Sequence, residues 1–204
     1  VGDTIRLLLA EDQAMVREAL ATLLGLEPDI EVVAQTPNGT EVAELAREHS
    51  VDVALLDIEM PGTDGITAAA RLHAELPHVG IVILTTFGRP GYLRRAMEAG
   101  ASGFLVKDAP AAQLAAAVRR VLAGERVIDP VLAAEALAEG ANPLTARETE
   151  VLRAAAGGAA NAEIAATLHL SPGTVRNYLS TAIQKTAARN RTEAVRTAQE
   201  KGWL

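Results

Sequence analysis

The sequence predicts an α/β domain built on a five-stranded, doubly wound parallel sheet, followed by a small all-α domain of four helices. Three observations carry this. Five short apolar runs alternate with five segments of helical spacing over the first 123 residues. Beyond residue 143 the apolar spacing is helical throughout. The charge also changes sign: residues 1–142 hold 11 basic and 21 acidic side chains, whereas residues 143–204 hold 8 and 5. An acidic front and a basic tail suit two domains that face different partners.

The strand runs, in order, are IRLLLA (5–10), IEVVAQ (30–35), VDVALLD (51–57), GIVILTT (80–86) and SGFLVK (102–107). Between them lie helical segments at 14–24, 40–48, 66–76, 92–99 and 111–122; the first places Val16, Leu20, Leu23 and Leu24 on one face. Such alternation calls for parallel strands with helices on both sides of the sheet. Residues 124–143 lose the pattern and are punctuated by Gly124, Pro130, Gly140 and Pro143, which predicts a linker with a helical piece over 131–137. In the tail, Thr145 and Glu148 stand at capping-box spacing before a first helix. A short second helix follows at 161–168, a third at 172–187 with Pro172 in its first turn, and a fourth at 192–200. The expected organisation is therefore a first domain at 4–123, a linker at 124–143 and a helical domain at 144–204.

Nearly half the residues are apolar, enough for two cores, and the absence of cysteine excludes disulfides and thiolate metal sites. No run approaches the roughly 18 apolar residues of a membrane span, and no charged-then-apolar leader opens the chain. A cytoplasmic protein without a membrane partner is expected.

In doubly wound sheets, ligands bind beyond the carboxyl ends of the strands. Those ends carry Glu11 and Asp12, Asp57, Thr85 and Thr86, and Lys107. Any one of these alone reads as solvated punctuation, but together they read as a site. Crowded carboxylates repel one another unless a cation or a proton joins them. With no cysteine and four scattered histidines, the hard, oxygen-seeking Mg²⁺ fits better than zinc. Lys107 then supplies a point charge and Thr85 a hydroxyl for a phosphoryl group, and Asp57 becomes a nucleophile able to carry phosphate as an acyl phosphate.

The stretches LLLAEDQAMVREAL, DVALLDIEMPGTDG, ILTTF and GASGFLVKD resemble the receiver domain of bacterial two-component response regulators. The resemblance implies a flavodoxin-like fold with Asp57 as phosphoacceptor. It implies an Mg²⁺ site made by Glu11, Asp12, Asp57 and the backbone carbonyl of Glu59. Thr85 would follow the phosphoryl group, with Thr86 beside it, Phe104 would reorient and Lys107 would pair with the phosphate. Pro61 and Gly65 would shape the loop after the acceptor. Phosphohydrolases of the haloacid dehalogenase type also place two acids at the Asp57–Glu59 spacing. In those enzymes, however, Met60-Pro61-Gly62 would be out of place and Glu11-Asp12 would have no role. A phosphoaccepting regulator is therefore expected instead of an enzyme, with slow autodephosphorylation as its one turnover. An inert receiver that only dimerises or binds a ligand would not need the full set of acids, Thr85 and Lys107.

Tail segments LTARETEVLRAAAGG, NAEIAATLHLSPGTVRNYLSTAIQK and RNRTEAV are similar to the helix-turn-helix domain of the LuxR/NarL/FixJ regulators. In the third helix, Val175, Leu179, Ala182 and Ile183 make an apolar stripe, and Arg176, Asn177, Ser180, Thr181 and Gln184 occupy the opposite face. Arg and Asn suit guanine and adenine edges. Thr174 belongs to the same expected DNA surface, while Lys185, Arg189 and Arg191 can neutralise phosphates.

Departures from the family pattern are Ala160 in place of a capping Ser or Thr, Ala162 and Ser180 where basic residues are frequent, and Thr186-Ala187 in place of Leu-Gly. They imply a lost cap, weaker non-specific DNA affinity and a longer third helix. The whole implies phosphorylation by a histidine kinase, homodimerisation through the first and fifth helices, and binding to palindromic double-stranded operators. Within the family, TTFGRPGYLRRAMEAGASGFLVKDAP with TVRNYLSTAI looks nearest to the membrane-fluidity regulators of lipid desaturases.

Overall fold

A computed structural model describes residues 4–86, 90–138 and 142–204. The part of the ILTTF motif and of the expected linker that falls at 87–89 and 139–141 lies outside the described residues. Two compact units divide the chain, with the main boundary between Ala134 and Glu135.

The first unit alternates β1 (Ile5–Ala10), α1 (Ala14–Leu24), β2 (Ile30–Thr36), α2 (Val42–Glu48), β3 (Val53–Asp57), α3 (Gly65–Glu75), β4 (Gly80–Thr85), α4 (Pro90–Glu98), β5 (Gly103–Val106) and α5 (Ala111–Leu122). Every strand pair is parallel, and the spatial order is β2-β1-β3-β4-β5. This order reverses direction between β1 and β3, creating the crevice at which such sheets hold ligands. The central strands are apolar on both sides because helices cover both faces, so Leu7, Leu9, Leu55 and Ile83 are fully buried.

One expectation needs correction. The sheet has six strands: β6 (Val127–Ile128) pairs with β5 through Gly103↔Val127 and Phe104↔Ile128. It lies within the stretch read from sequence as linker. A two-residue strand is too short to show alternation, and its existence depends on β5 offering an unpaired edge. After it, Asp129 Oδ1 accepts hydrogen bonds from the Val131 and Leu132 amides and starts α6 (Pro130–Ala138), which contains the helical piece expected there.

The second unit contains α7 (Ala146–Ala155), α8 (Asn161–Thr167), α9 (Pro172–Lys185) and α10 (Arg191–Glu200) around Val151, Leu152, Ile164, Val175, Leu179, Ala182, Ala194 and Ala198. Thr145 caps α7 as expected: its hydroxyl accepts from the Glu148 amide, and the Glu148 carboxylate accepts from the Thr145 amide. Ala160 caps α8 with no side-chain bond, leaving Glu163 to accept from the Ala160 amide. The third tail helix is not lengthened. It stops at Lys185, and Ala187 adopts φ 52, the left-handed conformation that glycine would take without steric cost. Among the described residues, no helix is long and apolar enough to cross a membrane.

Candidate phosphoacceptor site and nucleic-acid interface

Sheet register brings the acidic residues together. Ala10 pairs with Leu56, Asp57 with Leu84, and Thr85 with Val106, so β1, β3, β4 and β5 end nearly level. Each chain then delivers one polar side chain to the same edge: Glu11 and Asp12 after β1, Asp57 at the tip of β3, Thr85 at the tip of β4 and Lys107 after β5. Among the described residues, Glu11, Asp12 and Asp57 offer carboxylate oxygens that all lie within 4.8 Å of one another.

Lys107 holds this cluster. Its Nζ lies 2.6 Å from Glu11 Oε2 and 3.0 Å from Asp57 Oδ1, and both carboxylates are almost wholly buried. The contact to Glu11 is electrostatic, because Oε2 receives no well-aligned hydrogen bond although it is buried. The Lys107 amide donates to the Thr85 carbonyl at 2.8 Å, which sets the start of the lysine loop against β4. On the other side, Arg17 reaches back from α1 to the Glu11 carbonyl at 2.6 Å, and the Gln13 amide donates to Glu11 Oε1. Arg17 and Gln13 were not singled out from the sequence, since neither a guanidinium reaching a backbone carbonyl nor a backbone amide meeting a carboxylate leaves a spacing signal.

Burial pushes the Asp57 carboxyl up, and it stays raised although the Lys107 ammonium and the Glu59 amide pull it down. Glu11 is raised for the same first reason, burial, with the Asp57 charge adding to it. Burial alone would lower Lys107, but its close contacts with the two carboxylates outweigh that and hold it above the ordinary lysine range. Three hard oxygen donors, two of them short of positive charge and one with an unserved lone pair, fit a divalent cation such as Mg²⁺.

The loop after Asp57 is shaped by close packing. A Cβ on Gly65 would overlap the Asp57 carbonyl oxygen, so only glycine lets α3 begin against the end of β3. Asp64 caps that helix through the Thr67 amide at 2.8 Å. Thr85 is buried, Thr86 is exposed, and Phe104 is fully buried on β5 opposite Ile83.

The second unit places α8 and α9 around a tight turn in which His169 adopts φ 54 and the Leu170 amide donates to the Ala165 carbonyl. Ser171 caps α9, accepting from the Thr174 amide at 3.0 Å, and the Ser171 and Thr174 hydroxyls are hydrogen-bonded to each other. Val175, Leu179 and Ala182 are buried, whereas Arg176, Asn177, Ser180 and Gln184 are exposed. Thr181 is half-buried and donates its hydroxyl to the Asn177 carbonyl. Arg189 is exposed and bonded to Glu193. Lys185 turns away from that group to Glu148 of α7, with Nζ 2.7 Å from Oε2.

Family models match both units: residues 7–119 match the response regulator receiver domain, and residues 142–198 match the bacterial regulatory proteins of the luxR family. Over 200 residues the chain is 47% identical to the uncharacterized transcriptional regulatory protein YvfU of Bacillus subtilis, covering 98% of this chain and 100% of that one. It is 46% identical to the transcriptional regulatory protein DesR of the same organism, covering 98% and 99%. Among solved structures it is similar to the response regulator ChrA of a heme-sensing two-component system, at 34% identity and a TM-score of 0.60 over all of both chains. A parallel sheet with an acid crevice, joined to a helix-turn-helix unit and matched along its full length by transcriptional regulators, places this chain in the response regulator family with a LuxR-type DNA-binding domain.

Proposed function

We propose that Asp57 accepts a phosphoryl group from a histidine kinase and that this event turns the chain into a dimeric, operator-binding form. The observation that carries the reading is the shared ammonium: Lys107 bridges Glu11 and Asp57 in a buried crevice. In the transfer, an Asp57 carboxylate oxygen forms a bond to phosphorus as the bond from phosphorus to the kinase imidazole nitrogen breaks. The imidazole leaves with the electron pair and takes up a proton. Mg²⁺ held by Glu11, Asp12, Asp57 and the Glu59 carbonyl would neutralise phosphoryl oxygens.

Lys107 is already on Asp57 and shifts from Glu11 to the new anion, whose charge near −2 is the stronger attraction. The Thr85 hydroxyl, one strand over, moves to the same group, with Thr86 beside it. Fully buried Phe104 lies on the adjacent strand, so a shift of β4 is felt there first. The new charge biases an existing equilibrium between two packings of this face.

In the helical unit, Arg176, Asn177, Ser180 and Gln184 form the base-reading surface of α9, with Thr174 and Thr181 at its margin and Arg189 at a flanking phosphate. Two such heads brought together read a two-fold operator. The protein acts in the cytoplasm, where a kinase and chromosomal DNA are both reachable.

Incubation with Mg²⁺ and a small phosphodonor, followed by intact mass and size-exclusion measurement, tests the reading. Wild type gains one phosphate and shifts from monomer to dimer, and Asp57→Asn does neither. Unchanged mass in the wild type would remove the phosphorylation switch and leave a constitutive receiver.

A further inference from the structure

Lys185 ends α9 and has the charge expected of a phosphate contact, yet its surroundings assign it elsewhere. Its Nζ is 2.7 Å from Glu148 Oε2, and that same oxygen accepts the Thr145 amide at 2.7 Å. The Glu148 side chain is only 7% exposed. At about 100° per residue around a helix, Lys185 lies roughly 60° from buried Ala182 and roughly 80° from buried Val175. It is about 140° from exposed Ser180, about 80° from exposed Asn177 and about 40° from half-buried Thr181, so it stands at the border of the polar face, and from that border its ammonium turns to Glu148 of α7.

We propose that Lys185 is a positioning residue: its ion pair with Glu148 locks the end of the recognition helix to the start of α7, and its charge is not spent on DNA phosphate. The inference rests on the reading of α9 as the DNA-contacting helix. The pair ties two places far apart in sequence, the first turn of α7 and the last turn of α9, where a cation also meets the negative end of the helix dipole. Its mechanical value is rotational. Side-chain tips stand about 5–6 Å from a helix axis, so a turn of about 10° moves Arg176 and Asn177 by roughly 1 Å. That displacement is enough to spoil bidentate hydrogen bonds to base edges.

Burial by itself would push the Glu148 acid up, and the bonds from Lys185 and Thr145 more than reverse this. An unpaired Glu148 would be a buried negative charge beside the DNA face, so Lys185 is worth more on Glu148 than on a solvent-screened phosphate.

The test uses the full-length chain, a fluorescently labelled duplex of arbitrary sequence and a sodium chloride titration. Each phosphate-bound cation contributes about 0.9 to the slope of log K against log salt. Lys185→Met is expected to leave the slope unchanged. Glu148→Gln, whose amide oxygen still accepts the Thr145 amide, frees the ammonium and steepens the slope by up to about 0.9. Adding Lys185→Met to Glu148→Gln abolishes that increase. A slope flattened by about 0.9 in the single Lys185→Met variant would make Lys185 a phosphate ligand and overturn the proposal.

Arg189→Met, at the position read as a flanking phosphate contact, serves as the separate check on the DNA reading, since it should flatten the slope by up to about 0.9. If the wild type shows no salt-dependent binding, that reading fails, and thermal unfolding then decides the pair by itself. Melting-point losses for Lys185→Met and Glu148→Gln that fall short of additive in the double variant support the lock, and additive losses refute it.

Discussion

Replacing Lys107 by methionine removes the cation that two buried acids share, and the structure bounds the cost. The substitution keeps the length and packing of the stem, so most of the loss is electrostatic. Without the ammonium and without a divalent ion, Glu11 and Asp57 face each other across the crevice, and the cheapest relief is for one of them to take up a proton. Protonating a carboxyl of ordinary pKa 4.5 at pH 7 costs about 3.4 kcal/mol, and one of 3.8 about 4.4 kcal/mol, at 1.36 kcal/mol per pH unit. The expected destabilisation at pH 7 is therefore about 3–4 kcal/mol, matching the cost of breaking a buried ion pair.

A carboxyl whose folded pKa lies above its unfolded value favours folding below the unfolded value and loses that contribution as pH rises through the folded one. The Lys107→Met penalty should therefore shrink by about 1.4 kcal/mol per unit as pH falls from 7, and be about 0.7–1.6 kcal/mol near pH 5. Urea unfolding of both proteins without divalent ion, from pH 7 to pH 5, measures it. A penalty below about 1 kcal/mol at pH 7, or one that does not change with pH, would refute the shared-cation account.

Three further outcomes are expected. Mg²⁺ should raise the melting temperature of the wild type near pH 7.5, with the gain fading as pH falls into the raised carboxyl range because protons compete for the same oxygens; Asp12→Asn should weaken the effect. Ala187→Gly should stabilise the helical unit by about 0.5–1 kcal/mol, since the 1–2 kcal/mol cost of left-handed alanine exceeds the added unfolded-state entropy of glycine; chemical denaturation with unchanged m-value checks this. Gly65→Ala should abolish Mg²⁺-dependent stabilisation while leaving the helical unit folded, because the new methyl group displaces the Asp57 backbone; circular dichroism with a metal titration separates the two effects.

The receiver half was legible because its strands are buried on both faces and end in polar residues. Apolar runs with sharp ends located β4 closely, and located β1, α1 and α5 to the residue. Strand β6 was not legible, since two residues between Gly124 and Pro130 carry no period and owe their structure to the edge of β5. The convergence of Glu11, Asp12, Asp57 and Lys107 followed from topology, whereas the sharing of one ammonium by two acids did not, because it depends on side-chain reach.

In the tail, the capping box of Thr145 and Glu148 was visible at three-residue spacing. The second duty of Glu148, holding Lys185, was hidden by a separation of 37 residues. Ala187 shows a reasoned expectation going both ways: its left-handed cost was anticipated, but the chain accepts that cost and does not extend α9.

The most direct test of the central claim is chemical localisation of the phosphate. After treatment with Mg²⁺ and a phosphodonor, borohydride reduction converts an aspartyl phosphate into homoserine, which peptide mass sequencing locates. The segment between Arg47 and Arg71 carries three aspartates, and two of them serve elsewhere: Asp52 accepts from the Arg6 amide and Asp64 from the Thr67 amide, whereas Asp57 is the one paired with Lys107. The account predicts homoserine at position 57 alone. Homoserine at 12, 52 or 64, or a fully phosphodonor-treated chain with aspartate intact at 57, would contradict it.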